Sequence, residues 1–213
     1  MKLLLIRHAR MAGDPFSRPA SPITGALSPE GIKQAEDLRN RLSNIHIDVA
    51  LTSPYGRAVQ TAEIALYKRN IPLKRVPGIE EWTPSAAFRD ATSTEFEKMQ
   101  ERDNLLYAEE TWKTELGEGT FDVYARVVPA LLAALAAEGW HNRMGGWVPD
   151  EGTENKTIAL FAHGGSLGIM LSFLIGVRPF PISPFSFGLT GVATLIYYPR
   201  RGIYYPAMEF SGV

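Results

Sequence analysis

Two histidines and two arginines in this chain follow directly on short apolar runs, and together they could hold a phosphate and attack it. Leu3-Leu4-Leu5-Ile6 runs into Arg7-His8, and Val49-Ala50-Leu51-Thr52 into Ser53-Pro54-Tyr55-Gly56-Arg57. Ile158-Ala159-Leu160-Phe161-Ala162 runs into His163-Gly164-Gly165. A neutral imidazole nitrogen can take a phosphoryl group covalently, which divides one hard displacement into two easier ones. His8 is the candidate nucleophile. Guanidinium forks match phosphate oxygens, so Arg7 and Arg57 are candidate clamps from two sides. His163 precedes a glycine pair that turns into a helix, and its imidazolium would stabilise charge on the equatorial oxygens. Gly164 is a candidate phosphate contact beside it.

The reaction also needs an acid for the leaving alkoxide and then a base for water. Ile79-Glu80-Glu81 offers two carboxylates that the residues alone do not separate. Two acids in one site would raise the pKa of one of them, which suits a donor. Each role has a plainer rival: a lone histidine is ordinarily a satisfied core residue, Arg57 could be a solvated helix arginine, and Glu80 and Glu81 could be exposed loop acids. Convergence of the runs favours chemistry.

That convergence depends on the elements. Continuous apolar runs separated by helical patterns read as buried parallel strands. Ligands of open parallel sheets lie beyond the carboxyl ends of the strands. Ser28-Pro29-Glu30 predicts a capped helix start, followed by one face of Ile32, Ala35, Leu38 and Leu42. Ser53-Pro54 predicts a second cap, opening a helix through Leu66 with Arg57 in its first turn, where free N–H groups favour an anion. A short strand is expected over 71–76, and an Ala/Leu-rich helix over 118–138, bent at Pro129 and stopped by Gly139. A Gly/Trp loop is expected over 139–156, and a helix over about 166–174. Residues 192–198 and 203–210 read as an antiparallel hairpin around Pro199-Arg200-Arg201-Gly202.

Two stretches lack sheet-like patterning. Residues 9–26, rich in Pro, Gly and Ser, leave directly from His8 and are expected to line the site. Residues 77–117 are polar and aromatic and read as a helical insertion capping the site edge. The expected fold class is α/β: a three-layer α/β/α sandwich, its central sheet mostly parallel with an antiparallel edge, in one domain over 1–213.

Four segments also resemble the boxes of a known family, in family order. Leu5-Ile6-Arg7-His8-Ala9 resembles the RHG box of the histidine phosphatase superfamily, the phosphoglycerate mutase-like proteins. Residues 27–35 resemble its "LTxxGxxQA" segment. Residues 52–62 resemble "SSPxxRAxQTA" almost letter for letter, and Ala162-His163-Gly164-Gly165 resembles the second-histidine box. The resemblance implies a phosphoglycerate mutase-like fold, a phosphohistidine on His8 and a phosphate clamp at Arg57. The family's "LxE" spacing selects Glu81 as the acid, although Trp82-Thr83-Pro84-Ser85 replaces its "G-x-x-E-G" continuation. Thr24-Gly25 is similar to the mutases' "TG" element and, with Glu80, supplies candidate substrate contacts. Arg126 falls where many members carry an arginine, and a structural pairing is expected for it.

Mutases of this family continue RHG with "ES-x-WN". Here Ala9-Arg10-Met11-Ala12-Gly13-Asp14 follows, and Asp14 in the Asn position would repel phosphate. Only Arg10 and Arg18 add positive charge near the boxes. Phosphomonoester hydrolysis is therefore the preferred reading and phosphoglycerate mutase-type transfer the runner-up. A phosphate-binding module without catalysis is the third, against which stand His8, Arg57 and His163.

Composition narrows the partners. The 22 basic and 23 acidic residues nearly cancel, with no basic stripe for nucleic acid. The absence of cysteine excludes disulfides, thiolate catalysis and cysteine zinc sites. Four apolar residues after Met1-Lys2 are too few for a signal peptide, and residues 127–137 are too few for a membrane span. His46 and His141 read as surface residues, and no metal or cofactor is expected. The expectation is a cytoplasmic protein acting on a small phosphorylated substrate, without nucleic-acid or membrane partners; a homodimer is left open.

Overall fold

The computed structural model describes residues 1–12, 25–83, 94–95, 98, 101, 117–143, 145–180 and 183–208. The strands are β1 (Lys2–Arg7), β2 (Val49–Thr52), β3 (Leu73–Arg75), β4 (Trp140–Arg143), β5 (Gly146–Pro149), β6 (Thr157–Ala162), β7 (Val192–Arg200) and β8 (Ile203–Met208). The long helices are α1 (Pro29–Leu42), α2 (Gly56–Ala65), α3 (Thr120–Ala136) and α4 (Gly164–Ile175). Among the described residues the strands form one sheet in the order β3-β2-β6-β1-β7-β8-β5-β4. The first four in that order run parallel, and from β7 onward two hairpins, β7–β8 and β4–β5, lie side by side with all neighbours antiparallel.

The three apolar runs become the three central parallel strands, buried on both faces. Leu3 and Leu5 of β1 join Leu51, Ile158 and Leu160 in a core with α3 and α4. Their neighbours Leu4 and Ile6 point the other way, joining Ala50, Ala159 and Phe161 against Leu38, Leu42 and Ala62 of α1 and α2. This period-two alternation produces the three layers. In register, Arg7 lies opposite Ala162 and Thr52 opposite Phe161, so the three strands end level and the residues after them meet.

Ser28 caps α1 as expected, its Oγ accepting the Gly31 N–H at 3.0 Å. Ile32, expected on the buried face, is 39% exposed, and Gly31 is buried in its place. The reason is a close approach: a Cβ on Gly31 would lie 1.9 Å from the Arg10 carbonyl oxygen. The second helix starts later than expected, with Tyr55 rather than Ser53 at its N-cap, because the Ser53 hydroxyl bonds to His163. Pro129 lies within α3 without ending it, and Gly139 (φ +85°) follows that helix's end.

The expected loop over 139–156 is corrected. It contains β4 and β5, an antiparallel hairpin that extends the sheet past β8. Trp140 and Trp147 are buried there, with ring centroids 5.4 and 6.1 Å from that of Tyr197 on β7. The expected hairpin of β7 and β8 turns through Arg201 (φ +52°) and Gly202 (φ +81°), a sense that matches the twist of paired strands. Among the described residues no helix is long and apolar enough to cross a membrane.

Candidate active site

His8 and His163 stand just past β1 and β6, with ring centroids 5.0 Å apart. The His8 ring is fixed by what can donate and what can accept. Its Nδ1 is 2.7 Å from the Ala9 carbonyl oxygen, which only accepts, so Nδ1 carries the proton. Nε2 is then a lone-pair nitrogen, and it accepts the Arg57 Nε–H at 3.2 Å. Burial, then the Arg57 guanidinium, hold the His8 pKa at about 3, and Arg7 acts in the same direction. His8 is therefore neutral near pH 7 with its nucleophilic nitrogen turned toward the arginine expected to hold phosphate.

Arg7 is aimed by a turn from the far end of the chain. Its Nη1 donates to the Phe187 carbonyl, and its backbone N–H to Gly191 O at 3.0 Å. Thr190 in the same turn donates its N–H to His8 O at 3.4 Å, and Arg41 of α1 holds its carbonyl and hydroxyl, each at 2.9 Å. Thr190 is a β-branched residue at φ +53°, a costly conformation that the surrounding bonds enforce. Arg57 sits in the first turn of α2, buried, with its guanidinium carbon 5.0 Å from the Tyr55 ring centroid. Tyr55 also sets its ring edge against His163, centroids 5.2 Å apart.

His163 Nε2 pairs with Ser53 Oγ at 2.8 Å. Its Nδ1 and the Arg7 Nε are buried and lack a hydrogen-bond partner among the described residues. Burial first, then Arg57 and His8, push the His163 pKa well below its ordinary value. The neutral form of His163 is therefore favoured in this arrangement.

The two glycines after His163 each make room for one side chain. A Cβ on Gly164 would come within 3.3 Å of the Arg7 guanidinium carbon, and one on Gly165 within 2.6 Å of Glu81 Oε1. Glu81 sits on the N-terminus of α4. Its Oε2 accepts the Gly165 N–H at 3.0 Å, and its Oε1 those of Ser166 at 3.1 Å and Trp82 at 3.0 Å. The Gly165 and Ser166 N–H groups are free donors of a helix start, where negative charge is favoured.

Glu80 faces away. Its Oε2 accepts the Gly78 N–H at 2.8 Å and lies 3.4 Å from Arg126 Nη1. The expected pair of carboxylates sharing one site is therefore not formed. Of the other candidate contacts, Gly25 lies near the base of the loop after His8, which is closed by Ala12 N–H to Ala26 O at 2.8 Å and a Met11–Leu27 bridge. Thr24, Asp14 and Arg18 lie outside the described residues, as does most of the expected insertion over 77–117. Arg10 is paired with Glu30 at 3.0 Å. His46 and His141 are paired with Asp48 and Asp150 toward solvent. Among the described residues no cluster of three or more His, Asp or Glu is placed to hold a metal ion.

Sequence reading passed over Ser53 and Tyr55 as site residues. A small hydroxyl and an aromatic at the end of a buried strand, just before an arginine, were the available signal.

A family model described as the histidine phosphatase superfamily (branch 1) matches residues 3–204. The chain belongs to the histidine phosphatase superfamily. Phosphoserine phosphatase 1 of Hydrogenobacter thermophilus is 28% identical over 179 residues, 83% of this chain and 77% of that one. The adenosylcobalamin/alpha-ribazole phosphatase of Escherichia coli is 25% identical over 182 residues, 83% of this chain and 80% of that one. A probable phosphoglycerate mutase of Erwinia tasmaniensis is 23% identical over 178 residues, 83% of this chain and 76% of that one. Among solved structures, the alpha-ribazole phosphatase of Shigella flexneri superposes with a TM-score of 0.74 at 20% identity, covering 100% of this chain and 99% of that one. A mycobacterial glucosyl-3-phosphoglycerate phosphatase complexed with VO3 gives 0.75 at 20% identity, covering 99% and 98%. At such identity the likeness concerns the fold, which in this chain is the expected phosphoglycerate mutase-like α/β architecture.

Proposed function

We propose that this histidine phosphatase hydrolyses a small phosphomonoester through a covalent phosphohistidine on His8. The observation that carries the reading is the His8 tautomer: Nδ1–H bonded to Ala9 O, with an unprotonated Nε2 beside Arg57. The Nε2 lone pair attacks phosphorus while the bond from phosphorus to the ester oxygen breaks. Arg7, Arg57, His163 and the Gly164 backbone hold the equatorial oxygens as charge spreads over them. Glu81, entering the cycle as the protonated acid, gives its proton to the departing alkoxide and regains one from the water that attacks the phosphohistidine. His8 returns neutral, and inorganic phosphate leaves.

Hydrolysis is favoured over mutase transfer by the local charge. Among the described residues Arg10 is already paired with Glu30, leaving no second basic cluster to retain a bisphosphate. The relatives named as phosphatases also stand at 28% and 25% identity, the one named as a mutase at 23%.

The test is quenching with alkaline detergent during turnover of a radiolabelled phosphomonoester, with EDTA present throughout. Wild type is expected to carry an acid-labile, base-stable label, and His8→Ala none, with turnover reduced by roughly four orders of magnitude or more. The chelator is expected to leave the wild-type rate unchanged, because arginines supply the positive charge. Label retained in folded His8→Ala would reject the nucleophile.

A further inference from the structure

Glu81 reaches α4 from a loop whose own support comes from elsewhere. The residues after β3, 76–83, are held chiefly by the start of α3 rather than by the sheet. Arg126, on the second turn of α3, donates through Nη1 to the carbonyls of Gly78 at 2.9 Å and Glu80 at 3.3 Å, and through Nη2 to that of Glu81 at 3.3 Å. The same guanidinium meets Glu118 in a two-pronged pair, Nε to Oε1 at 2.8 Å and Nη2 to Oε2 at 2.7 Å. Such forks combine strength with a defined plane.

Glu118 completes the clasp. Its backbone N–H donates to Thr83 O at 3.0 Å, its Oε2 accepts the Thr83 N–H at 2.9 Å, and its carbonyl accepts from the Trp82 indole. Gly78 (φ +97°) presses on the same helix, since a Cβ there would stand 2.7 Å from that of Ala130. Burial opposes both charges, but their mutual bonding carries Arg126 above its ordinary pKa and leaves Glu118 below its own. The fork is therefore ionised and persistent across the working pH range. Among the described residues, neither side chain is hydrogen-bonded to His8, Arg7, Arg57 or His163.

We propose that Arg126, locked by Glu118, is a positioning residue for the acid. It sets the backbone of residues 78–83 so that the Glu81 carboxylate rests on the Gly165 and Ser166 N–H groups, facing the leaving group. Arg126 touches neither the phosphate nor the reacting atoms; it acts through Glu81. The inference rests on the reading of Glu81 as acid. It assigns to this arginine a role in one half of the chemistry, leaving-group protonation, and none in phosphate capture.

The experiment compares kcat/KM for an alkyl phosphate and for p-nitrophenyl phosphate, whose leaving group needs little protonation. Glu81→Gln is expected to slow the alkyl ester by roughly 10²-fold or more and the nitrophenyl ester far less. Arg126→Met is expected to show the same asymmetry, with an alkyl-ester loss of about 10²-fold, the scale of a small misplacement. Inhibition by inorganic phosphate should change by less than about twofold, because the clamps are untouched. In the Glu81→Gln background, Arg126→Met should add almost nothing, since the group it positions is gone. Arg126→Lys should not restore the rate, because an ammonium cannot form the fork. If Arg126→Met does not fold, Glu118→Gln breaks the same fork and is expected to show the same asymmetry more weakly. Equal losses on both esters, or losses additive with Glu81→Gln, would overturn the positioning role while leaving the acid in place. Absence of asymmetry in Glu81→Gln itself would overturn the acid assignment, and the positioning role with it.

Discussion

The phosphate pocket and the acid loop lie side by side, yet they are held by different means. Arg7 ends β1, His8 and His163 stand just past β1 and β6, and Arg57 lies in the first turn of the helix after β2; the sheet register brings those three strand ends level. Their rings and guanidinia pair with near neighbours: His8 with Ala9 and Arg57, His163 with Ser53. Glu81 instead lies on a loop after a three-residue edge strand and is placed by Arg126 and Glu118 of the α3 region and by the N-terminus of α4. A strand end positions a side chain through the regular ladder behind it. A loop must be positioned by side chains that reach it one at a time. Outside its own residues and the 187–191 turn that holds Arg7, the pocket should therefore tolerate more change than the acid loop.

The largest test of that contrast is His163→Ala. Loss of the imidazole packed beside His8 is expected to lower kcat/KM by about 10²–10³-fold, the usual cost of removing one group aimed at developing charge. The loss should be equal for alkyl and nitrophenyl esters, which rate measurements on both would check. A loss confined to alkyl esters would move His163 to the acid side.

The neighbouring glycines give a sharper comparison, because each serves a different region. Gly165→Ala places a Cβ 2.6 Å from Glu81 Oε1, and the flexible carboxylate must shift. The expected result is a folded enzyme slowed by about 10–10²-fold on alkyl esters and much less on nitrophenyl phosphate. Gly164→Ala instead crowds Arg7 at 3.3 Å, and is expected to weaken both substrates alike by a few-fold, about one displaced hydrogen bond. Identical profiles for the two variants would erase the division between pocket and loop.

The smallest effect concerns pH. Because His8 has its pKa lowered from 6.5 to about 3, kcat/KM should show no acidic limb near 6.5 that belongs to the nucleophile. Stability carries the complementary sign. Below 6.5 the unfolded chain takes up a proton that folded His8 refuses until about pH 3, so stability is fully present above 6.5 and falls as pH drops through that window. His163 contributes in the same direction. Each group adds up to about 1.4 kcal/mol per pH unit to the slope. Urea denaturation at several pH values should show a shallower slope in His8→Gln than in wild type; equal slopes would mean that burial does not hold the ring neutral.

Legibility in the sequence followed the same division. The three strands and the residues after them could be read directly, because burial on both faces demands unbroken apolar runs and the chain then has to turn at the edge of the sheet. The cap at Ser28 and the hairpin of β7 and β8 were legible for equally local reasons: a side-chain oxygen three residues from its N–H, and a glycine where φ must be positive. The hairpin of β4 and β5 was not legible. Its strands are four residues each, and what stabilises them is Tyr197 packing on Trp140 and Trp147 from β7, about fifty residues further along the chain.

Side-chain partners were decided by the tertiary structure. The sequence by itself determined that two histidines and two arginines would stand at one edge of a sheet, since apolar periodicity is a local property that each strand carries with it. It could not determine that Ser53 would orient His163 instead of capping a helix, that burial and Arg57 would favour neutral His163, or that Glu80 and Glu81 would part company. Those outcomes depend on which groups arrive from distant elements: Arg126 and Glu118 from the α3 region, Phe187 and Thr190 from the turn before β7, and the free N–H groups of α4. Hydrogen bonds and burial are pairwise and three-dimensional, and they come into existence only when the chain has closed.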